Sequence, residues 1–282
     1  MINKSIPQPV NVVAGQTAIL TVPSDPLTLI GLQLLLSGTT FDKTKIDALK
    51  VKVGSRVLWD LTYPQIQAIN NYKNDADVLN TLYLDFAERD QAIFPLKEVG
   101  GLDLPTLLSV GIVTVEIKIN GAAVNPKIDV QGHYEASQGN PICLKYVPFT
   151  AAYNTGGKFT LPIQLKGAIL KRLHIFYNGT AWTASTNGNV SRMEIKKNSM
   201  TIFDQFDKDN RFIQNRNKKV PQAGLYVVDF IVDNNHDAQI TTAHAEGDKF
   251  VYDNFEFNAY LLDGTGAAMT CVAEVLDSAT NL

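Results

Sequence analysis

The stretch SRVLWDLTYPQIQAINNYKN, residues Ser55 to Asn74, has a loose double in SMTIFDQFDKDNRFIQNRNK, residues Ser199 to Lys218. A shift that places Ser55 on Ser199 aligns the two stretches without a gap. The same shift brings together several identical residues: Asp60 with Asp204, Ile69 with Ile213, Asn71 with Asn215 and Asp85 with Asp229. Self-similarity at a fixed period is the signature of a fold that repeats one unit.

The flanking sequence extends the repeat over most of the chain. AGQTAIL at Ala14 matches TGGKFTL at Thr155, and LYLDF at Leu82 matches YVVDF at Tyr226. VTVEIKINGAAVNPKIDV at Val113 lies over FEFNAYLLDGTGAAMTCV at Phe255. Glycine, proline and asparagine cluster between the copies, as in a connecting segment. We therefore predict two domains, residues 1–139 and 140–282.

Each copy has the pattern of short β-strands. In VTVEIKI, Val113, Val115 and Ile117 alternate with Thr114 and Glu116, the period of a strand with one wet face. Further runs in the first copy also indicate strands: Thr17–Val22, Leu27–Leu36, Leu49–Val53, Val57–Asp60, Leu79–Ala87 and Lys127–Tyr134. With turn signals between them, they predict about eight strands per copy. The predicted fold is all-β, a tandem double jelly roll of two eight-stranded sandwiches.

One break interrupts the strand pattern in each copy. Thr62 and Gln65 have the spacing of a capping box, and Pro64 suits the first turn of a helix. In the second copy we expect Asp207 or Asp209 to cap the corresponding helix. Each jelly roll is therefore predicted to carry a short helix after its fourth strand.

Composition excludes several classes of function. The chain has 282 residues, 45% of them hydrophobic and 19% charged, which predicts a packed, folded protein. A formal net charge of −3 gives the protein no broad positive surface potential, so direct sequence-specific nucleic-acid binding is not expected. The N-terminus shows no apolar core of signal-peptide length. Cys143 and Cys271 fit no metal or redox motif and are expected to be buried free thiols.

The sequence contains no recognisable catalytic motif. The histidines are His133, His174, His236 and His244, and their spacing matches no usual metal motif. His133 and His174 stand alone in strand patterns and are expected to be partly buried strand residues. GxSxG, GxxxxGK and HExxH motifs are absent from the sequence. We predict no catalytic or cofactor-binding residues, and the protein is not expected to be an enzyme.

Three carboxylates raise the question of a structural ion. Asp204, Asp207 and Asp209 could gather calcium, which takes oxygen ligands. The glycine and the distal glutamate of an EF-hand loop are missing, and helix capping is an alternative role for two of the three. A structural calcium site at these residues is therefore an open hypothesis, and no other cofactor is indicated.

The whole pattern resembles a known family. It is carried by SIPQPVNVVAG near the N-terminus, the LLLSGTT turn, ALKVKVGSRVLWDLTYPQI before the helix, TLYLDF, and LLSVGIVTVEIKI. In order and spacing these segments resemble the double jelly-roll viral major capsid proteins of the adenovirus, tectivirus and corticovirus lineage. The likeness is greatest to the corticovirus-type coat protein of icosahedral bacteriophages that contain a membrane. The long loop insertions of hexon-type relatives are absent.

The resemblance implies a structural role in a virion. Three two-domain chains place six jelly rolls around one axis, so that a homotrimer has a pseudo-hexagonal outline and such capsomers tile an icosahedral shell. The implied partners are neighbouring capsomers and other virion proteins, with an internal viral membrane as a further candidate. The implied locations are the virion capsid and, during assembly, the host cytoplasm.

A second class of function remains open on the sequence alone. Tandem jelly rolls also build glycan-binding proteins and glycan-amidase enzymes, which set aromatic and acidic residues in a cleft. Trp59 and Trp182 are the aromatic candidates. Because Trp59 aligns with Phe203 inside an apolar strand pattern, we expect Trp59 to pack in the core.

Overall fold

The computed structural model describes residues 1–281 except 76, 89–98, 138, 154, 178–181, 184–185, 188, 236–237, 248 and 263–266; the side chains of 182–183, 186–187 and 267 are also outside the description. The chain forms two compact units. The first contains Met1–Gln67, Ala76–Tyr146 and Leu276–Leu282, and the second contains Ala68–Asp75 and Val147–Val275. These units interleave along the chain, so they do not test a division into contiguous domains at residues 139 and 140, which stays a prediction.

The first unit is built mainly from antiparallel strands. Its strands are β1 (Ile2–Ile6), β2 (Thr17–Thr21), β3 (Leu27–Ser37), β4 (Ile46–Val53), β5 (Arg56–Thr62), β6 (Thr81–Asp85), β7 (Leu102–Asp103), β8 (Val113–Ile119) and β9 (Lys127–Ala136). Its helices are a 3-10 turn at Lys43–Lys45, α1 (Tyr63–Tyr72), which continues into the second unit, and α2 (Leu104–Leu107).

The strands of the first unit form one five-stranded and one four-stranded sheet in jelly-roll order. One sheet runs β1-β9-β3-β6, with the short β7 beside β3, and the other runs β2-β8-β4-β5. Alternation sets the core: Val113, Val115, Ile117 and Ile119 of β8 are all buried. The intervening Thr114, Glu116 and Lys118 are half-buried or exposed, as the sequence pattern predicts.

The second unit repeats this architecture. Its strands are β10 (Ile142–Tyr153), β11 (Gly157–Leu161), β12 (Ile169–Tyr177), β13 (Trp182–Thr183), β14 (Thr186–Asn187), β15 (Val190–Lys197), β16 (Met200–Phe206), β17 (Leu225–Asp229), β18 (Ile240–Thr241), β19 (Ala243–Glu246), β20 (Lys249–Tyr252), β21 (Phe255–Leu261) and β22 (Ala267–Ser278), with helix α3 (Asp207–Arg216). The two main sheets run β10-β22-β12-β17 and β11-β21-β15-β16, the order found in the first unit. The strand pairs β13-β14 and β19-β20 are additional hairpins.

The repeat holds to the level of single residues. Helix α1 begins at Tyr63 and α3 at Asp207, the positions that the Ser55-to-Ser199 alignment brings together. The pairing register shifts after Val51 in the first unit and after Ile195 in the second, again at aligned positions. The predicted tandem double jelly roll is therefore confirmed.

Two details of the prediction are wrong. The helix follows the fifth strand of the first unit, because Ile2–Ile6 pairs with β9 and forms a strand that the sequence pattern did not indicate. At the second helix the N-cap is Phe206, which makes no side-chain capping bond, so Asp207 and Asp209 lie in the first turn. Acidic groups there still face the positive end of the helix dipole. The capping contact predicted at the first helix is present, since the Thr62 N–H donates to Gln65 Oε1 at 2.9 Å.

Candidate functional site

In the described part of the chain, charged and titratable side chains are most densely grouped in a buried ion cluster of the second unit. Lys171, Arg172 and His174 come from β12, Glu274 comes from β22 and Asp229 ends β17. The side chains of Lys171, Arg172, His174 and Glu274 are fully buried. Such groups are stable inside a protein only when charges are paired and hydrogen-bonded.

Glu274 is the centre of this ion cluster. Its Oε1 accepts from Arg172 Nη1 at 2.9 Å and from Lys73 Nζ at 3.1 Å, and Lys171 Nζ lies 3.5 Å away. Its Oε2 lies 2.9 Å from His174 Nε2. Both carboxylate oxygens are therefore occupied by nitrogen atoms.

Asp229 forms the second anionic point of the cluster. Its Oδ2 accepts from Arg172 Nε at 2.9 Å and from the Tyr72 hydroxyl at 2.8 Å. Its Oδ1 accepts from the backbone N–H of Ile231 at 3.0 Å. Arg172 thus joins the two carboxylates through two different nitrogens of one rigid guanidinium.

The strand sequence explains why the cluster forms on this face. Leu173 and Ile175 point into the hydrophobic core of the second unit, so the alternating Arg172 and His174 point to the opposite face of the sheet. Residues Ala68–Asp75 belong to the same unit, and Tyr72 packs there against Leu225 and Val227. This cover excludes water from a face that would otherwise be solvated.

Burial and charge shift the pKa values within the cluster. Burial alone raises the pKa of Glu274, but the cations Lys73, Arg172 and Lys171 outweigh it and hold that pKa well below its ordinary value. Burial lowers the pKa of His174 more than the Glu274 carboxylate raises it, so the imidazole is neutral near pH 7. Burial, followed by the charge of Asp229, raises the pKa of Tyr72 well above its ordinary value.

This arrangement suits a structural role. The carboxylates are saturated by cations, and the histidine is a neutral hydrogen-bonding partner with no solvent access. A nucleophile or a general base needs room for a substrate beside it. The ion cluster offers none and instead fixes the outer face of the sheet.

Among the residues that the structure describes, the ion cluster has no counterpart in the first unit. Asp229 pairs with Arg172 across β12 and β17, whereas the aligned Asp85 pairs with Gly31 across β3 and β6. The charges on this face therefore differ between the two units.

The three calcium candidates lie in different settings. Asp204, in β16, forms a bidentate pair with Arg192, whose Nε and Nη2 both donate at 2.5 Å, and this hydrogen bonding lowers the pKa of Asp204. Asp207 and Asp209 lie in the first turn of α3. Within the described ranges no group of three or more His, Cys, Asp or Glu side chains could hold a metal ion. Calcium at these residues stays a prediction, and Asp204 would have to exchange Arg192 for the ion.

The histidines differ in their surroundings. His133 is half-buried in β9, with Nδ1 2.8 Å from Asn3 Oδ1, as expected for a strand residue. His174 is more buried than the sequence predicted and belongs to the ion cluster. His244 lies on β19, and its Nδ1 is 2.9 Å from Oδ1 of Asp253, the residue after β20. His236 lies outside the described residues.

Trp59, Cys143 and Cys271 are core residues. The side chain of Trp182 lies outside the described residues. Trp59 is buried against Phe86 and Tyr146, with ring centroids 4.9 and 4.8 Å away, and its Nε1 donates to Leu144 O at 2.8 Å. Cys143 and Cys271 are buried free thiols, as predicted. Burial raises their pKa values to about 11 and about 12, so neither is reactive near neutral pH.

Comparisons with known proteins identify the family. The family model described as viral coat protein P2 N-terminal domain matches residues 3–135, and that of the viral coat protein P2 C-terminal domain matches residues 143–279. No curated protein sequence matches the chain. In the described part of the chain, no helix combines the length and apolar character needed to span a membrane.

Solved structures share the fold over nearly the full length. The major capsid protein P2 of bacteriophage PM2 is 14% identical with a TM-score of 0.76, and the match covers 98% of this chain and 97% of that one. A chain in the atomic structure of Sulfolobus Turreted Icosahedral Virus is 12% identical with a TM-score of 0.68, covering 98% and 90%. A chain of the PBCV-1 virus capsid is 11% identical with a TM-score of 0.61, covering 98% and 93%.

These matches give no support to the glycan-acting alternative, and the burial of Trp59 removes one of its two aromatic candidates. The strand order, the two matching coat-protein domains and the full-length structural likeness agree with one another. The chain belongs to the viral coat protein P2 family and is a double jelly-roll major capsid protein, a structural component of the virion capsid and not an enzyme.

Proposed function

We propose that the protein assembles into homotrimers with a pseudo-hexagonal outline, and that these capsomers tile the facets of an icosahedral shell. The observation that carries the proposal is the repeat of one strand order, β1-β9-β3-β6 and β10-β22-β12-β17, within a single chain. Three copies of such a chain supply six similar lobes. A threefold object of this kind can occupy a sixfold position in a closed shell.

Surface chemistry supports association between copies. Each unit exposes large apolar side chains, among them Leu108 and Ile112 in the first and Phe212 and Phe250 in the second. Exposed apolar groups of this size favour burial at protein interfaces. The edge strands β5 and β16 also leave backbone groups that a neighbouring surface can cover. Closed symmetry limits such association to a defined number of copies.

Native mass spectrometry of the purified full-length protein at micromolar concentration tests the stoichiometry. We expect a species of three times the 31.0 kDa chain mass. The same sample measured in a denaturing solvent serves as the control and should give the single-chain mass. A stable monomer under native conditions would contradict the proposal.

The proposed capsomer has further partners: neighbouring capsomers, other virion proteins and an internal viral membrane. The membrane partner is proposed from the resemblance to coat proteins of membrane-containing phages. Flotation of capsomers with vesicles of phosphatidylglycerol and phosphatidylethanolamine tests it, with vesicle-free protein as the control. Recovery of all the protein in the bottom fraction with vesicles present would count against direct lipid contact.

Assembly is proposed to take place in the host cytoplasm. The two buried thiols, Cys143 and Cys271, support this location because disulfides are not maintained in a reducing compartment. Fractionation of infected cells, followed by detection of trimers in the soluble fraction before particles form, tests the location. Appearance of the protein only outside the cell would contradict it.

A further inference from the structure

A lysine, an aspartate and an asparagine meet where the start of β10 and the end of β22 belong to the first unit. Lys145 lies in β10 and Asp277 in β22, and Asn281 follows in the next turn. Lys145 Nζ donates to Asp277 Oδ2 at 3.2 Å and to the main-chain oxygen of Asn281 at 2.6 Å. Asn281 Nδ2 donates to both oxygens of the same carboxylate, at 3.0 Å to Oδ1 and 3.1 Å to Oδ2.

The geometry places an amine next to a carboxamide. One oxygen, Asp277 Oδ2, contacts both Lys145 Nζ and Asn281 Nδ2. Nζ also contacts the main-chain oxygen of Asn281, the residue whose carboxamide binds this same carboxylate. Distances of 2.6–3.2 Å between heavy atoms are those over which general acids and bases transfer protons.

The amine and the carboxylate are both enclosed by protein. The side chains of Lys145 and Asp277 are 1% and 7% exposed. Asp277 is therefore held where it can accept a proton from Lys145 Nζ as that nitrogen attacks, which is the arrangement of a nucleophile beside its base.

We propose that Lys145 and Asn281 form an intramolecular isopeptide bond, with Asp277 as the proton carrier. Lys145 Nζ attacks Asn281 Cγ, the new C–N bond forms and the bond from Cγ to Nδ2 breaks. The lysine ammonium loses two protons, Asp277 passes them in turn to the departing nitrogen, and the products are the amide and one ammonium ion. Asp277 is a carboxylate before and after, and the step needs no oxidant or other reactant.

The bond would join two distant points of the chain. Lys145 and Asn281 are 136 residues apart, so the link closes a loop that contains nearly all of the second repeat. A covalent link of this kind stabilises mainly by restricting the unfolded chain. The two cysteines are unlinked, and an amide, unlike a disulfide, is stable in a reducing compartment.

The chain contains an internal comparison for this chemistry. Lys197 Nζ lies 3.0 Å from Asp253 Oδ2, and Asn198 Nδ2 donates to Asp253 Oδ1 at 2.7 Å. There the amine and the amide contact different oxygens, the lysine side chain is 24% exposed, and the two reacting residues are neighbours in sequence. We expect no bond at this second trio.

Intact-mass and peptide mass spectrometry of the full-length folded protein test the proposal. We expect a mass lower than that of the sequence by one ammonia, and a branched peptide that links Lys145 to Asn281. The variants Lys145→Arg and Asn281→Ala should each have the full mass of their sequence. Lys197→Arg is the matched control and should still show the loss of one ammonia.

Three results would overturn the proposal: the full sequence mass in wild-type protein shown to be folded by circular dichroism, a loss of ammonia mapped to another residue, or retention of the linked peptide in Lys145→Arg. The wild-type measurement decides the question even if a variant fails to fold. Because the mass of a single chain is read after denaturation, the result is independent of whether the protein forms trimers.

Discussion

At the scale of single residues, Glu274 is the side chain whose loss should reduce the stability of the second unit most. It is the common anion for Lys73, Lys171 and Arg172, whose side chains are at most 9% exposed. The main contribution of this buried carboxylate is to neutralise three buried cations. Without it, their charges would be left without a counter-charge, which costs more than the attraction itself contributes. Removal of this carboxylate should therefore lower the free energy of unfolding far more than removal of a surface charge.

The variant Glu274→Gln should lower the free energy of unfolding by about 3–5 kcal/mol, because it leaves the cations with Asp229 as the remaining anion of the cluster. Urea denaturation followed by fluorescence measures the change. Asp60→Asn is the matched control: its pair with Lys50 at 2.9 Å is exposed, so the expected change is about 0–1 kcal/mol. Equal effects of the two variants would contradict this account of the cluster.

His174 predicts a pH dependence of stability. Its pKa in the folded protein is lowered from the ordinary 6.5, so below that pH the unfolded chain binds a proton that the folded chain does not. Stability should fall as the pH drops through 6.5. The contribution of Glu274 is present above its ordinary pKa of 4.5 and is lost only as the pH falls through its lowered pKa. The histidine effect therefore comes first on acidification.

The variant His174→Gln removes this titration and should flatten the pH dependence of the unfolding free energy between pH 8 and pH 5. Urea denaturation at several pH values in this range measures it. His133→Gln, at a half-buried strand position, is the comparison and should retain the wild-type slope. The same slope in wild type and His174→Gln would show that His174 is not the group responsible.

At the scale of elements, the two helices occupy aligned positions but dock differently. Ile66 of α1 is a buried apolar residue. The aligned Asn210 of α3 is also buried, and its Nδ2 donates to Val227 O at 2.8 Å, as does Gln214 Nε2 at 2.8 Å. At this position, therefore, α3 is held by hydrogen bonds to a strand where α1 uses apolar packing.

The variant Asn210→Ala should lower the free energy of unfolding by about 1–3 kcal/mol, because it removes one of two donors to a buried carbonyl. Thermal or urea denaturation at fixed protein concentration measures the change. Lys208→Ala, at an exposed position of the same helix, should change stability by no more than about 0.5 kcal/mol. If Asn210→Ala behaved like Lys208→Ala, hydrogen-bonded docking of α3 would be contradicted.

Some elements can be predicted from neighbouring residues, and others depend on partners that are distant in sequence. Strand alternation located β8 and β21, and the capping-box spacing located α1, because these patterns lie in neighbouring residues. The repeat then located α3 at the corresponding place in the second copy. Strand β1 was missed because its polar INKSI sequence becomes a strand only through its pairing with β9. The ion cluster was missed for a similar reason: alternation assigns Arg172 and His174 to a wet face, and nothing local indicates that Ala68–Asp75 covers it.

At the scale of the whole molecule, the two copies share an architecture but differ in chemistry. The strand orders and the aligned helix starts are the same, whereas the ion cluster and the β19-β20 hairpin belong to the second unit alone among the described residues. In the proposed trimer the shared architecture would supply six similar lobes. The differences would make alternate lobes distinct, which is compatible with threefold but not sixfold symmetry.

Electron microscopy of the purified full-length protein tests the central claim most directly. Class averages viewed down the symmetry axis should show a threefold particle with six lobes of two alternating kinds, in a nearly hexagonal outline. Two-lobed single chains, or particles with any symmetry other than threefold, would contradict the account.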